Sequence, residues 1–488
     1  MQTESGSLIS RRSFLSSAAV AAAGLAAGFR NIFGSTLESL YVPRPNKPQY
    51  VLRVAPTILN PDSKQRVAGI TANGIFPGPE IRVREGTDLR IRIENLLEQP
   101  TSIHWHGLLV PASMDGVPHV SNDPVAARRV FVYEFPIRQK GTYWYHSHSD
   151  LQEQVGLAGP FVIEDANGPG NVDHDAVIMM SDWLHRSPDQ VFATLRARSS
   201  MRAGSMMPRS MPPNGKMKIG IASRSDLSDV IYDSFLINGK GNSNPWVLKA
   251  RPAERIRLRF INAGASTYFR LRLDGIPLQI THADGMAVQP VTVDHLLMGM
   301  AECYDALVSL PASGSYTLHA VAQDGSGQAV GVLHTPDVAP APNLSIPEFD
   351  GRGLSYADLR ATAPTTLPAG PTRSFRLALG GNMSRYIWTI GGQAYPKADP
   401  LLIRQGDRVE VEMKNQTMMW HPMHLHGHLF RVLQGAGEFS PLKHTVNVPP
   451  SETVKFEFTA DNPGQWFFHC HNLYHLEAGM ARVIVYQA

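Results

Sequence analysis

The sequence is poor in cysteine: only Cys303 and Cys470 occur in 488 residues. Two cysteines are too few for a disulfide framework, so the fold has to depend on a hydrophobic core. The formal net charge is +3, and lysine and arginine form no run outside the N-terminus, so the composition gives no indication of a nucleic-acid-binding protein. Beyond the N-terminal region, the sequence also lacks any apolar run long enough to be a transmembrane helix.

The first 45 residues carry a pattern typical of an export signal. Arg11 and Arg12 form a twin-arginine pair, and residues 18–27 consist almost wholly of alanine, glycine and valine. Because this apolar stretch is too short to span a membrane, we predict a twin-arginine signal peptide and linker over residues 1–45. A disordered tail or a signal anchor is the alternative. Export by this route implies that the twin-arginine machinery is a partner and that the protein is periplasmic or extracellular.

From about residue 50 onward, the sequence favours many short strands over long helices. The 37 prolines and 41 glycines mark frequent turns, and charged and apolar residues alternate in stretches such as 81–84 and 89–93. Residues 86–95 also parallel residues 406–415 nearly position for position, and a His-X-His-Gly sequence follows each. This internal repeat predicts duplicated β-sandwich or small-barrel domains. We place three of them at residues 46–168, 169–345 and 373–488, with a linker at 346–372.

Within the second predicted domain, residues 201–217 differ from their surroundings. The segment is rich in methionine, serine, proline and basic residues and has no helical or strand period. Flexible thioethers on a polar loop suit Cu(I), which prefers soft ligands. A mobile loop with incidental methionines explains the pattern equally well. The methionines are Met201, Met206, Met207, Met211 and Met217.

The C-terminal sequence around Cys470 has the composition of a metal site. The aromatic run that precedes it predicts a strand. Since successive side chains of a strand point to opposite faces, Cys470 faces one way while His469 and His471 face the other. One thiolate, imidazoles and a weak thioether make up the ligand set of a blue, type 1 copper site, and His475 and Met480 lie just downstream. A buried thiol beside solvated histidines is the alternative.

Eleven of the 19 histidines fall in four short patches. In a strand, His424 and His426 project from one face, while His421, an odd number of residues away, can face the side of Cys470. The third domain thus offers four imidazoles away from the cysteine, and the first domain offers four more. Eight imidazoles suit three copper ions better than the closed four-ligand tetrahedron of structural zinc, the second metal considered. The patches are His104 and His106; His146 and His148; His421, His424, His426 and His428; and His469, His471 and His475.

Taken together, these motifs resemble those of the multicopper oxidases, which include the laccases, and are most similar to the bacterial three-domain branch of copper-resistance and cuprous oxidases. The resemblance covers the chain from about residue 50 to its end. It implies an all-β fold of three cupredoxin-like Greek-key β-sandwich domains and four copper ions as cofactors: one type 1, one type 2 and a type 3 pair. The implied ligands are His421, Cys470, His475 and the weak axial Met480 for type 1; His104 and His424 for type 2; and His106, His146, His148, His426, His469 and His471 for type 3.

A member of this family oxidises a small reducing substrate one electron at a time and reduces O₂ to water with four electrons. The resemblance implies Cu(I), phenols or aromatic amines as substrates, a role in copper tolerance, and electron transfer through Cys470, His469 and His471. Asp115, where the family commonly has a carboxylate, is the candidate proton donor, and a turn aspartate before Gly116 is an equal explanation. A copper-sequestering protein on the same fold and a copper nitrite reductase are the alternative functions.

Two histidines near the third-domain ligands, His428 and His444, have no position in this ligand scheme. We expect them to lie behind the ligands or at the surface. Asp284 and Asp294 have no assigned role, and Cys303 is expected to be a small buried residue. The other seven histidines are expected to be structural: His119, His174, His185, His282, His295, His319 and His334.

Overall fold

The structure is a computed structural model that describes residues 48–168, 170–202, 227–382 and 385–487, without the side chains of residues 198–202. The predicted export signal at residues 1–45 lies outside the described residues. Of the methionine-rich segment, only the backbone of Met201 and Arg202 is described, while Met206, Met207, Met211 and Met217 lie outside. Both features therefore stay predictions from the sequence.

Eight strands between residues 50 and 164 form the first sandwich. They are β1 (Tyr50–Leu59), β2 (Val67–Ala72), β3 (Ile81–Arg84), β4 (Asp88–Asn95), β5 (His104–His106), β6 (Val130–Pro136), β7 (Gly141–His146) and β8 (Ala158–Glu164). One sheet has the order β2-β1-β4-β6 and the other β3-β8-β7-β5. Trp105, Tyr133 and Phe161, which come from both sheets, share one buried apolar cluster, so the two sheets pack face to face.

Eleven strands between residues 174 and 334 form the second sandwich. They are β9 (His174–Trp183), β10 (Ser234–Ile237), β11 (Trp246–Lys249), β12 (Ile256–Asn262), β13 (Phe269–Leu273), β14 (Leu278–Ala283), β15 (Met286–Val293), β16 (Leu296–Met298), β17 (Cys303–Val308), β18 (Ser315–Ala322) and β19 (Gln328–His334). The six-stranded sheet has the order β10-β9-β12-β17-β14-β15, and the five-stranded sheet has the order β11-β19-β18-β13-β16.

Eleven more strands between residues 372 and 487 form the third sandwich. They are β20 (Thr372–Asn382), β21 (Ile387–Ile390), β22 (Leu401–Arg404), β23 (Arg408–Asn415), β24 (His421–Leu425), β25 (Phe430–Val432), β26 (Leu442–Lys443), β27 (Thr445–Val448), β28 (Thr453–Thr459), β29 (Gln465–Cys470) and β30 (Ala481–Gln487). Its sheets have the orders β21-β20-β23-β28-β25-β26 and β22-β30-β29-β24-β27.

Helices are few and short in the described part of the chain. The α-helices are α1 (Pro188–Arg202) and α2 (Leu473–Glu477), and single 3₁₀ turns occur at Ala112–Met114, Tyr356–Asp358 and Gly437–Phe439. Within the described ranges, no helix has the length and apolar composition needed to cross a bilayer.

The three sandwiches share a buried asparagine at the end of one central strand. These residues are Asn95, Asn262 and Asn415, the last residues of β4, β12 and β23. The amide groups of Asn95 and Asn415 each donate to three main-chain carbonyls at 2.7–3.0 Å, and that of Asn262 donates to two. Each side-chain oxygen also accepts from the backbone N–H two residues on. The repeat found at residues 86–95 and 406–415 therefore extends into the second sandwich.

Buried clusters join the three sandwiches. Trp144 of the first sandwich packs with Ile261 and Cys303 of the second, and Val117 of the first packs with Phe467 of the third. The second and third sandwiches share a continuous apolar cluster. Cys303 is fully buried and unpaired, which confirms its prediction as a small buried residue. The first and third segments of the chain, which carry the histidine patches, are thus in contact.

Asn415→Ala tests the shared asparagine. The change leaves three carbonyls and a backbone N–H without their partner, so we expect the free energy of unfolding to fall by ~2–3 kcal/mol. Urea denaturation followed by tryptophan fluorescence measures the loss. Asn60→Ala, at an exposed position, is the control and should change stability by less than ~0.5 kcal/mol. Equal losses in the two variants would contradict a special role of the buried amide.

Candidate metal centres

The pairing of β24 with β29 organises both candidate centres. The two strands run antiparallel, with Met423 opposite Cys470 and His424 opposite His469. Backbone alternation then sends the Cys470 thiol to one side of β29, and the imidazoles of His469 and His471 to the other. The contacts of these three side chains follow this division, as the alternation in the sequence predicts.

Cys470, His421 and His475 form a fully buried group on the thiol side. The Sγ atom lies 3.7 Å from Nδ1 of His421 and 3.6 Å from Nδ1 of His475. The Nε2 atoms of both rings are engaged elsewhere, with the Thr417 hydroxyl at 2.8 Å and the Asp229 carboxylate at 2.9 Å. Both rings therefore present Nδ1 to the thiol, and the three possible ligand atoms lie within 4.8 Å of one another.

A one-turn helix, α2, brings His475 to the thiol. Asn472 caps it, because its side-chain oxygen accepts from the backbone N–H groups of Tyr474 and His475. Met480 follows the helix and is fully buried. The Cys470 N–H donates to the Met480 carbonyl at 3.0 Å, and the Met480 N–H donates to the His475 carbonyl at 3.0 Å. Met480 is thus attached through its backbone to both neighbouring members of the group.

Eight imidazoles meet on the other side of β29, and we call this group the histidine chamber. Four come from the first sandwich and four from the third. His106 stacks on His424 with ring centroids 3.8 Å apart, and His104 lies 3.9 Å from His426. Three triads of the chamber have possible ligand atoms within 4.8 Å of one another: His104, His424 and His426; His106, His146 and His471; and His148, His426 and His469.

Main-chain carbonyls accept hydrogen bonds from Nδ1 of four of these eight rings. The Nδ1–H groups of His104, His146, His424 and His469 face the carbonyls of Asp115, Ser147, His444 and Cys470 at 2.7–3.1 Å. A proton fixed on Nδ1 leaves the lone pair on Nε2. The anchors therefore set the tautomer in which Nε2 is free to bind a metal.

Six of the eight Nε2 atoms in the chamber have no partner among the described residues. The other two, those of His426 and His469, lie 3.0 Å apart, and both rings have their Nδ1 engaged elsewhere, so two lone pairs face each other. A buried polar atom left unpaired costs ~1–3 kcal/mol, which a cation among the lone pairs would remove. Imidazole nitrogens suit copper, so the donor set fits this metal. The unpartnered Nε2 atoms belong to His104, His106, His146, His148, His424 and His471.

Burial keeps seven of the chamber imidazoles neutral, which is the form that binds metals. It lowers the pKa of His469 to about 3, with neighbouring histidines adding to the effect. On the thiol side, burial raises the pKa of Cys470 above its ordinary value, so its thiolate needs an adjacent cation. The other chamber histidines whose pKa is lowered, in each case mainly by burial, are His106, His146, His148, His424, His426 and His471.

Asp115 links the two halves of the chamber. Its Oδ2 accepts from Nδ1 of His426 at 2.9 Å, and its Oδ1 lies 3.2 Å from Nδ1 of His104. The carboxylate is fully buried. It therefore orients one imidazole from the first sandwich and one from the third, which goes beyond the role of a turn aspartate before Gly116.

Glu153 is a second buried acid at the chamber, and no sequence pattern predicted it. Its Oε2 lies 2.7 Å from Nδ1 of His146, and burial raises the pKa of Glu153 to about 8. A small cavity of about 20 Å³ borders it and is also lined by His469, His471 and Glu477. Only its position seven residues after His146, in the loop that follows β7, could have indicated Glu153.

Asp229 was also missed, because nothing in the sequence connects it with a residue 246 positions away. Its Oδ2 accepts from Nε2 of His475 at 2.9 Å and from the Tyr386 hydroxyl at 2.7 Å. Trp388 packs on the same imidazole, with ring centroids 3.9 Å apart. Asp229 and Trp388 thus fix the ring of His475 on the side away from the thiol.

Comparison with known proteins identifies the family of the chain. Multicopper oxidase profiles match residues 53–168, 174–336 and 369–488. The chain is 37% identical to the multicopper oxidase MmcO of Mycobacterium tuberculosis, over 86% of this chain and 83% of that protein. It is 32% identical to a copper resistance protein A homolog of Pseudomonas syringae pv. tomato, over 91% of this chain and 94% of that protein.

A solved structure supports the fold alone. Fet3p, a multicopper oxidase that functions in iron import, is similar with a TM-score of 0.78 at 22% identity, covering 90% of each chain. The sandwiches and the donor sets together define a copper-dependent oxidoreductase. The chain belongs to the multicopper oxidase family. It is therefore an enzyme with copper cofactors that passes electrons from a reducing substrate to O₂, and the predicted family and all-β cupredoxin-like fold are confirmed.

Asp115→Ala tests the link across the chamber. The change removes the carboxylate beside Nδ1 of His104 and His426, so we expect copper to be bound ~10–100-fold more weakly, the usual effect of losing a group that orients metal ligands. Copper retained per chain during titration with a chelator measures this. Asp123→Ala, at a nearby exposed position, is the control and should retain copper like the unaltered protein. Unchanged retention in Asp115→Ala would contradict the orienting role.

Proposed function

We propose that the enzyme is an exported oxidase with four copper ions, which oxidises Cu(I) and serves copper tolerance. Copper bound at the two centres supplies one-electron oxidation of the substrate and four-electron reduction of O₂ to two waters. The observation that carries the proposal is the alternation of side chains at Cys470, which places the thiol in one centre and His469 and His471 among the eight imidazoles of the other. The ligands we assign are His421, Cys470, His475 and axial Met480 for type 1; His104 and His424 for type 2; and His106, His146, His148, His426, His469 and His471 for type 3.

The short covalent link between the centres supports a role in electron transfer. His469 and His471 are the immediate neighbours of Cys470 in the chain, and all three side chains are buried. The His469 Nδ1–H also donates to the Cys470 carbonyl at 3.0 Å, which adds a hydrogen bond to the covalent path. We therefore assign to these three residues the connection between the substrate side and the O₂ side.

Reduction of O₂ to water consumes protons, and two buried acids are placed to supply them. Asp115 lies between His104 and His426, while Glu153 lies behind His146 and borders the small cavity. The raised pKa of Glu153, about 8, means that its carboxyl holds a proton at neutral pH. We propose that both carboxyls deliver protons to the chamber from different sides.

The reducing substrate is proposed to approach His475. Asp229 places a negative charge against this imidazole, which favours a cationic reductant. Met418, 61% exposed, and the buried Met419 precede His421, and thioethers suit Cu(I). Relatives named copper resistance protein A support a role in copper tolerance. Phenols and aromatic amines are the second class that we propose.

Export and the domain limits are proposals that the sequence supports. The twin-arginine pattern at Arg11 and Arg12 favours passage through the twin-arginine machinery to the periplasm or the cell exterior. The family matches at 53–168, 174–336 and 369–488 support domains at 46–168, 169–345 and 373–488.

Cys470→Ser tests the assignment of the two centres. Without the thiolate, the blue absorption band and substrate turnover should be lost. The chamber imidazoles keep their anchors, so we expect bound copper to fall only from four ions per chain to three. Absorption spectra, copper analysis and oxygen uptake measure these quantities. Cys303→Ser, which alters the other buried free cysteine, is the control and should keep the blue band and turnover.

Two outcomes would contradict the proposal. The first is a Cys470→Ser protein that oxidises substrate at the normal rate. The second is an unaltered protein that is blue with a single copper and reduces no O₂, which would favour copper sequestration.

Changing the five methionines of residues 201–217 to serine tests the Cu(I) hypothesis. Thioethers bind Cu(I) but not phenols, so we expect KM for Cu(I) to rise several-fold while phenol oxidation stays unchanged in the same variant. Oxygen uptake with each substrate measures both. Unaltered Cu(I) kinetics would exclude a role for this segment and leave the oxidase assignment intact. The methionines are Met201, Met206, Met207, Met211 and Met217.

A further inference from the structure

A cavity of about 310 Å³ lies between the first and second sandwiches. The start of β2 and the loop after β7 form one side of it, and the end of β9 and the start of α1 form the other. None of the assigned copper ligands lines it, so it is separate from both copper centres. Its volume lies in the range of sites that bind small organic molecules.

The cavity has a buried inner end and an exposed mouth. Gln154, Trp183 and Leu184 are buried, whereas Arg66 and Arg186 are exposed to solvent. The ring of Trp183 is held in place on the protein side by Phe76, with ring centroids 5.3 Å apart. A molecule in the cavity would therefore meet apolar surface at its inner end and two positive charges at its outer end.

The hydrogen-bonding groups left for a ligand are mainly donors. Trp183 is 2% exposed, and its Nε1–H has no acceptor among the described residues. Arg66 forms no ion pair or side-chain hydrogen bond within the described part of the chain. Arg186 donates to the Ile231 carbonyl at 2.8 Å, which leaves most of its five N–H groups available. No carboxylate is among the side chains that line the cavity.

The other polar groups of the wall are engaged inside the protein. His185 lines the cavity, but its Nε2 contacts the Asp62 carboxylate at 2.7 Å. The side chain of Gln154 accepts from the Tyr232 hydroxyl at 3.0 Å and donates to Oδ1 of Asp182 at 3.3 Å. These contacts keep the nearby acids behind the wall, so the positive charge at the mouth is not neutralised from within the cavity.

We propose that this cavity binds a small aromatic carboxylate. The carboxylate lies beside Arg66 and Arg186, because a guanidinium group matches a planar carboxylate and is weakly hydrated. The ring of the ligand lies against Trp183 and Leu184 and covers their apolar surface. An inorganic anion would satisfy the arginines but leave this apolar end without a partner. The site goes beyond the proposed oxidase function, since it depends neither on the number of copper ions nor on the reducing substrate.

Calorimetric titration of the copper-loaded protein with benzoate tests the inference. Benzoate has no phenol hydroxyl to be oxidised, so turnover does not disturb the measurement. We expect one saturable site per chain and an affinity that falls as salt is added. Benzamide lacks the charge and acetate lacks the ring, so each should bind at least ~10-fold more weakly than benzoate. Absence of saturable binding, or inorganic phosphate binding as tightly as benzoate, would overturn the inference.

Two variants locate the site. Arg66→Gln removes one charge at the mouth and should weaken benzoate binding at least ~10-fold, while Trp183→Phe keeps a flat ring without the N–H group and should weaken it several-fold. Arg129→Gln, which makes the same charge change at an exposed position of the first sandwich outside the cavity, is the control and should bind like the unaltered protein. The blue band verifies folding of each variant. Unchanged affinity in Arg66→Gln or Trp183→Phe, or an equal loss in Arg129→Gln, would overturn the inference.

Discussion

The antiparallel pairing of β24 with β29 is the constraint on which both centres depend. Because a strand alternates its side chains, the register that places His424 opposite His469 also places the thiol on the far side. A shift by one residue would exchange the two faces and send Cys470 into the chamber. One set of backbone hydrogen bonds thus fixes the thiol group and half of the imidazoles at the same time.

The rest of the chamber depends on how the sandwiches meet. His104 and His426 come from opposite ends of the chain, yet a single carboxylate, Asp115, contacts Nδ1 of both. The second sandwich carries no assigned ligand, but it supplies the charges behind the third: Asp229 against His475, and Asp284 beside Lys443 and His444. The second sandwich therefore supports ligands that the other two sandwiches carry.

The sequence predicted those features that follow from local rules. Alternation along one strand separates Cys470 from its two neighbours, and the repeat at 86–95 and 406–415 becomes β4 and β23. The roles of Glu153 and Asp229 were not predictable in this way, since each depends on a contact made by packing. His428 and His444 illustrate the limit: their positions near ligands left open whether they lie behind the ligands or at the surface, and the structure buries both.

The carbonyl anchors of His104, His146, His424 and His469 have a consequence for how the site can vary. A peptide carbonyl does not titrate over the physiological pH range, and no side-chain replacement deletes it. The chamber therefore has a fixed part, set by the path of the main chain, and an adjustable part, set by carboxylates such as Asp115 and Glu153. Point mutations reach only the adjustable part directly, so redesign of the fixed part requires moving strands or loops.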